Sequence, residues 1–341
     1  MNIYEIAEKC GVSIATISRV LNNSPKVSVR TRDHVLEVMK KEEYSPNIFA
    51  RGLGLGTMKM VGVLCTDVRG AFYSEAVALI EEELRKKGLD TILCCTGNEL
   101  SEKKRRIKEM VQKKVDAIIL IGSVFREDTD NSHIEYAAQR LPVILLNGEI
   151  DIPSVYCISC DESKAMSNAV KELVKRGCKQ VLYLYDQPNY SGNKKLSGYS
   201  EGIKRYSPKA SYDLHYMVTR DMTQIKEMVL DLIDKGVQFD SVLTSEDIIA
   251  ISVMQALQSR NLSYPVIGCN NSMLCDCCTP TLSSIDNRLR DMCMAAVDIL
   301  DKLDEKQSPA NKTIFDAILV KRDSTNTKNN TKTNAKTDTK A

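Results

Sequence analysis

Between residues 60 and 320 the chain alternates short apolar runs with amphipathic stretches of helix length, and no other feature restricts the fold as much. The runs are Met60–Cys65, Thr91–Cys95, Ala117–Ile121, Val143–Leu146, Val155–Ile158, Val181–Tyr185, Ser241–Thr244 and Pro265–Gly268. Between them fall helix candidates at Ser74–Lys87, Ser101–Lys113, Ser163–Arg176, Lys194–Tyr206, Gln224–Lys235, Ile248–Arg260 and Leu289–Leu303. Lys87-Gly88, Arg176-Gly177 and Lys235-Gly236 supply the glycine that closes a helix in left-handed backbone. Strands alternating with helices build βαβ units and open, doubly wound parallel sheets. This stretch is long for one sheet and the rhythm restarts near Val181, so two lobes with a cleft between them are expected. No repeat of solenoid length is visible.

Residues 1–45 have a different texture. Ile3–Lys9 reads as a short helix with Ile3, Ile6 and Ala7 on one face, and Cys10-Gly11-Val12 reads as a turn. Ser13 then caps a second helix through Leu21, burying Ile17, Val20 and Leu21. Ile14, Ala15, Ser18, Arg19 and Asn22 face outward. Asn22-Asn23-Ser24-Pro25 breaks the chain, and Ser28 or Thr31 opens a third helix to about Lys41. Two helices joined at a glycine turn and braced by a third form a helix-turn-helix, whose second helix enters the major groove in DNA-binding proteins. On turn geometry alone, a three-helix cap without a ligand is the alternative.

The residues themselves carry a resemblance. Ile3-Tyr4-Glu5-Ile6-Ala7, Gly11-Val12-Ser13, Thr16-Ile17-Ser18-Arg19-Val20-Leu21-Asn22, Val27-Ser28, Thr31-Arg32 and Tyr44-Ser45-Pro46-Asn47 resemble the head of the lac-repressor/galactose-repressor family of bacterial transcription regulators. The resemblance implies an α+β multidomain fold: an all-α helix-turn-helix head and a two-lobed, doubly wound α/β core like that of periplasmic sugar-binding proteins. The expected domains are a head at 1–45, a hinge helix or linker at 46–59, a core at 60–322 and a disordered tail at 323–341. Lobe 1 is expected at about 60–160 plus 288–320, and lobe 2 at about 161–287. The resemblance places Ser13, Ile14, Ala15, Thr16, Ser18, Arg19 and Asn22 at the DNA surface. Ile14 and Ala15 take the positions that most set operator preference, where apolar side chains can only touch thymine methyls or fit by shape. Arg19 is the candidate for a bidentate contact to guanine. Ser28, Thr31 and Tyr44 are candidate phosphate contacts, which orient the head without reading sequence.

By the same resemblance, Pro46–Leu55 folds into a hinge helix on DNA, with Leu53 wedged into the minor groove and Asn47 and Arg51 beside it. Gly52, Gly54 and Gly56 depart from the pattern, and each costs a helix roughly 1 kcal/mol. A flexible linker is the plainer alternative. The spacing is not that of a dinucleotide fingerprint.

In such a core the ligand sits at the carboxyl ends of the strands. Phe72 and Tyr73 offer ring faces, and Tyr190, Asn193 and Lys194 begin a helix after a strand. Glu246, Asp247 and Asn270 follow two further strands. The family pattern has arginine at Asn193, asparagine at Glu246 and aspartate at Asn270. Lys194 or Lys195 is the candidate replacement for the lost cation, without a guanidinium's fork. A neutral sugar is therefore in question as the effector, and sugar derivatives and other metabolites stay open. Asp247 matches the pattern and is largely a helix cap.

Charge is uneven. Residues 1–59 hold nine basic and six acidic side chains, whereas residues 60–320 hold 32 and 37, so a basic head sits on an acidic body. Residues 323–341 are Ser, Thr, Asn and Lys almost throughout and lack a leucine heptad, which predicts a dimer and not a tetramer held by a coil. No stretch is apolar enough to span a membrane, and no signal peptide is evident. Scattered cysteines, several in strand-like runs (Cys65, Cys94, Cys95), read as reduced packing residues of a cytoplasmic, nucleoid-associated protein. Serine-nucleophile, P-loop and HExxH patterns are absent, and His34, His133 and His215 lie at no strand end. No enzyme activity, cofactor or metal is expected. Cys157–Cys160 reads as packing, while Cys269, Cys275, Cys277 and Cys278 could ligate zinc only if a surface loop folded back. The resulting expectation is a DNA-binding regulator, a repressor, that reads a palindromic operator as a homodimer under control of a small molecule. A cytoplasmic binding protein, a regulator controlled by a protein co-repressor and an enzyme of the doubly wound class are the alternatives.

Overall fold

The protein is described by a computed structural model covering residues 2–21, 24–44, 57–210 and 214–326. In the head, α1 (Ile3–Lys9), α2 (Ile14–Leu21) and α3 (Val29–Lys41) enclose a small core of Ile6, Ala7, Cys10, Ile17, Val20, Val35 and Met39. Asn2 and Glu5 cap α1 reciprocally: the Asn2 carboxamide accepts from the Tyr4 and Glu5 N–H, and the Glu5 carboxylate accepts from the Asn2 N–H. Gly11 turns the corner at φ +63°, a conformation that a Cβ would strain. Ser13 accepts from the Thr16 N–H and Ser28 from the Thr31 N–H, each at 3.2 Å, so Ser28 begins the third helix.

Lobe 1 contains β1 (Met60–Cys65), α4 (Ala71–Lys86), β2 (Asp90–Cys95), α5 (Leu100–Gln112), β3 (Ala117–Ile121), α6 (Ser132–Ala138), β4 (Val143–Leu146) and β5 (Val155–Cys160). The chain crosses to lobe 2 for α7 (Glu162–Lys175), β6 (Val181–Tyr185), α8 (Tyr190–Tyr206), β7 (His215–Met217) and α9 (Met222–Asp234). Lobe 2 continues with β8 (Ser241–Thr244), α10 (Asp247–Ser259), β9 (Val266–Cys269) and β10 (Ser283–Asp286). It returns to lobe 1 for α11 (Leu289–Asp304) and β11 (Lys312–Phe315), then crosses again to β12 (Ile318–Val320). The sheets run β11-β5-β4-β3-β1-β2 and β12-β10-β9-β8-β6-β7. The pairs from β11 through β1 and from β10 through β7 are parallel, and β12 runs antiparallel on β10. Strands β3, β4, β8 and β9 are buried throughout, as a sheet covered on both faces requires.

Two expected boundaries shift. Residues 318–320 belong to lobe 2, not lobe 1, because they complete its edge on β10. The tail was placed at 323, yet Asp323–Thr325 form a packed turn: the Ser324 hydroxyl donates to the Val266 carbonyl at 2.7 Å and accepts from the Ser283 N–H at 2.9 Å. Residues 327–341 and the hinge segment 45–56 lie outside the described residues. The short strands β7, β10, β11 and β12 and helix α6 went unrecognised in the sequence because three to seven residues carry too little periodicity.

Helices α7 and α8 approach closely at Gly198. A Cβ there would lie 2.1 Å from the Ser163 carbonyl oxygen and 2.6 Å from its Cα, backbone that cannot step aside. Gly198→Ala is expected to destabilise the core by about 3 kcal/mol or more, lowering its thermal midpoint by roughly 6–12 °C. A shift within about 1 °C of zero would show that the two helices are not held at this spacing.

Candidate functional site

In the head, Ser13, Ile14, Ala15, Ser18 and Arg19 are exposed together on α2, and Thr16 is half-buried. Ile14 is 39% exposed although the helix has a well-buried opposite face at Ile17 and Val20. Ser28 is exposed and Thr31 half-buried, with their hydroxyls 2.8 Å apart. The Tyr44 ring packs against the head core. Asn22, Asn47, Arg51 and Leu53 lie outside the described residues.

The cleft between the lobes gathers the carboxyl ends of five strands. A cavity of about 480 Å³ is lined by Asp67, Arg69, Arg220, Glu246, Asn270 and Met273, among others. A smaller recess beside it is bounded by Phe72, Tyr73, Ser123, Asp186, Ser191 and Lys195. Arg69 grips Asp67 through Nε and NH2 and holds its carboxyl down to about 2. Arg220 donates from Nε to Asp186 at 2.6 Å, and its NH2 lies 3.5 Å from Glu246. Lys195 is buried, with Nζ 3.2 Å from the Ser245 carbonyl and 3.4 Å from Glu162. Burial opposes its charge, but the Glu162 and Glu246 carboxylates outweigh that and raise its pKa. Burial pushes the Glu246 carboxyl up to about 7, assisted by Asp186 and Asp247 and opposed by Lys195 and Arg220.

Of the residues expected here, Glu246 and Asn270 meet directly, with Asn270 Nδ2 donating to Glu246 Oε2 at 2.7 Å. Relative to the family pattern, amide and carboxylate have exchanged places. Phe72 and Tyr73 line the recess edge-to-face at 5.4 Å, although Tyr73 is mostly buried in the lobe 1 core. Asp247 borders the cavity with its carboxylate already taken by Ser272 N–H and Oγ and by Ser284 Oγ. Three expectations need correcting. Asn193 is exposed and donates to the Pro188 carbonyl, Lys194 pairs with Glu149 at 3.7 Å, and Tyr190 lies under the Arg126 and Lys194 cations. None of the three lines the cleft, because α8 starts at Tyr190 and its turn carries Ser191 and Lys195 inward. Of Lys194 and Lys195, it is Lys195 that faces the recess.

Sequence reading missed Asp186, Glu162 and Arg220. Asp186 immediately follows β6 and its position at a strand end was the available signal. Glu162 looked like an ordinary first-turn acid, and Arg220 follows a three-residue strand with no pattern to mark it.

Every cysteine is a free thiol. Cys65 is buried, Cys94 half-buried and Cys95 exposed at the sheet edge, so not all of that run is packing. Among the described residues no three His, Cys, Asp or Glu side chains converge as metal ligands, and no helix is long and apolar enough to cross a membrane.

A small helical reading head followed by a two-lobed α/β core with a polar cleft is the build of a ligand-responsive regulator. Residues 2–47 match the family "Bacterial regulatory proteins, lacI family", and residues 58–274 match "Periplasmic binding proteins and sugar binding domain of LacI family". An HTH-type transcriptional regulator of Lachnoclostridium phytofermentans is 41% identical over 332 residues, covering 96% of this chain and all of that one. Catabolite control protein A of Priestia megaterium is 28% identical, covering 90% and 94% of the two chains. The lac repressor dimer bound to operator and the anti-inducer ONPF superposes with a TM-score of 0.85 at 22% identity, over 95% of this chain and 99% of that one, a likeness of fold. The chain belongs to the LacI family of DNA-binding transcriptional regulators, which sets it apart from enzymes of the doubly wound class.

Glu246 gives a pH test. Its folded pKa is raised, so the folded chain holds that proton more tightly than the unfolded chain. The resulting stability is complete below the ordinary carboxylate range and is lost as pH rises through about 7. Glu246→Gln is therefore expected to gain on the wild type between about pH 5 and pH 8, by on the order of 2 kcal/mol. Thermal midpoints measured across that range should diverge, and a constant difference would contradict the placement of Glu246.

Proposed function

We propose that this protein is a repressor that binds a palindromic operator as a homodimer and whose operator affinity is set by a small molecule in the inter-lobe cleft. The observation that carries the reading is the exposed face of α2, which presents Ser13, Ile14, Ala15, Ser18 and Arg19 on a head with its own core, ahead of a ligand-sized cleft. Two heads on a two-fold dimer fit half-sites spaced by whole helical turns. Arg19 reads guanine, Ile14 and Ala15 fit thymine methyls, and Thr16, Ser28, Thr31 and Tyr44 lie toward phosphates. Asn22 joins this surface. Asn47, Arg51 and Leu53 belong to a hinge at 46–59 that pairs in the minor groove. The domain scheme is a head to residue 45, that hinge, and a core that extends through the turn at Asp323–Thr325.

The effector is a sugar, sugar derivative or other small metabolite. It switches the protein only by binding the DNA-competent and incompetent lobe arrangements with different affinity. A cytoplasmic, nucleoid-associated location follows from the target. The operator-bound lac repressor dimer is the structural precedent for this assembly.

A gel-shift titration against the DNA flanking the protein's own gene tests the reading. Arg19→Ala is expected to weaken the shifted complex by about tenfold or more, since a bidentate guanine contact is worth roughly 1–3 kcal/mol. The wild-type complex should also weaken steeply as salt rises. Equal affinity of wild type and Arg19→Ala would remove the assigned reading role.

A further inference from the structure

Resting on the regulator reading, we propose that the cleft takes a polyhydroxylated amine of the amino-sugar class, its ammonium seated against Glu246. Arg69 is bound to Asp67, Arg220 to Asp186 and Lys195 to Glu162. Asp247 is satisfied by Ser272 and Ser284. Glu246 has no cation of its own: it shares the Arg220 guanidinium, whose NH2 lies 3.5 Å away and whose Nε is committed to Asp186, and it feels Lys195, which is paired with Glu162. The Asn270 carboxamide occupies Oε2, and the Glu246 carboxylate borders both the larger cavity and the recess. The five acids Asp67, Glu162, Asp186, Glu246 and Asp247 outnumber the three bases Arg69, Lys195 and Arg220, so the site favours a positively charged ligand.

The volume of about 480 Å³ suits a small sugar, and Ala71, Ile248 and Leu274 give an apolar wall for its C–H face. An anionic sugar would meet Glu246 with every cation already paired. A neutral sugar would leave Glu246 sharing the Arg220 guanidinium with Asp186.

Burial pushes Glu246 up to about 7, with Lys195, Asp186, Arg220 and Asp247 the charged groups around it, so an ammonium would hold it ionised.

The test is calorimetric titration of the full-length protein with D-glucosamine, D-galactosamine and D-mannosamine, beside the parent hexoses, the N-acetylated hexosamines and the uronic acids. At least one hexosamine should bind about tenfold or more tightly than its parent hexose. That preference should fall below about threefold in Glu246→Gln, and in the wild type when the pH drops from about 7 to about 5. The wild-type pH series keeps the test decisive if the variant does not fold. Binding of a hexose, an N-acetylhexosamine or a uronic acid as tightly as any hexosamine overturns the inference, as does no binding of any hexosamine. Either result leaves the regulator reading standing if the protein still binds operator DNA. Loss of operator binding in every ligand state is what would overturn that reading.

Discussion

Glu162 sits where the chain first leaves lobe 1, and its buried carboxylate accepts from Asn147 of lobe 1 and from Ser191 of lobe 2, with the Lys195 ammonium 3.4 Å away. A second contact across the lobes, from the Ser191 N–H to Ser123 Oγ at 3.3 Å, runs beside it. A buried carboxylate with two donors and an ammonium beside it is stable only while these partners stay in place, and removing one partner of such a pair typically costs roughly 3–5 kcal/mol. The position of α8, the inward aim of Lys195 and the shape of the recess all depend on this joint. It also lies at a crossing between the lobes, where a hinge motion would first be felt. Asn287 occupies the second crossing and ties Asn270, and through it Glu246, to the same region. The polar lining of the cleft is thus wired to the segments about which the lobes would turn.

Much of the architecture was legible because long buried strands and amphipathic helices write their periods into the sequence. Met60–Cys65, Ala117–Ile121, Val143–Leu146 and Ser241–Thr244 are strands as read. The head was legible for another reason: Gly11, Ser13 and Ser28 are local devices whose chemistry needs no tertiary context. The cleft was legible only at its strand ends. Glu246 and Asn270 follow strands and border the cavity, whereas α8 begins earlier than its sequence suggests, which turns Asn193 and Lys194 away and Lys195 inward. Arg220 reaches the site from a loop after a three-residue strand, and only the folded chain brings it to Asp186. The last crossing, to Ile318–Val320, depends on a three-residue antiparallel edge that carries no recognisable period.

The head and the cleft ask for different kinds of specificity. On α2, apolar Ile14 and Ala15 stand exposed beside Arg19, so in the proposed reading shape and thymine methyls share the recognition with Arg19. In the cleft Glu246 shares the Arg220 guanidinium with Asp186, and Asp247 is held by serines alone, so selectivity rests on a small number of groups. Exchange of amide and carboxylate between positions 246 and 270 keeps the pair that the family uses and reverses which side carries the charge.

The account is tested most directly by letting the full-length protein select DNA from a random-sequence pool and sequencing what it retains. Two-fold heads with an exposed α2 predict an inverted repeat, its half-sites spaced by whole helical turns and each containing a guanine for Arg19. Enrichment of a single unrepeated site, or no enrichment at all, would contradict it.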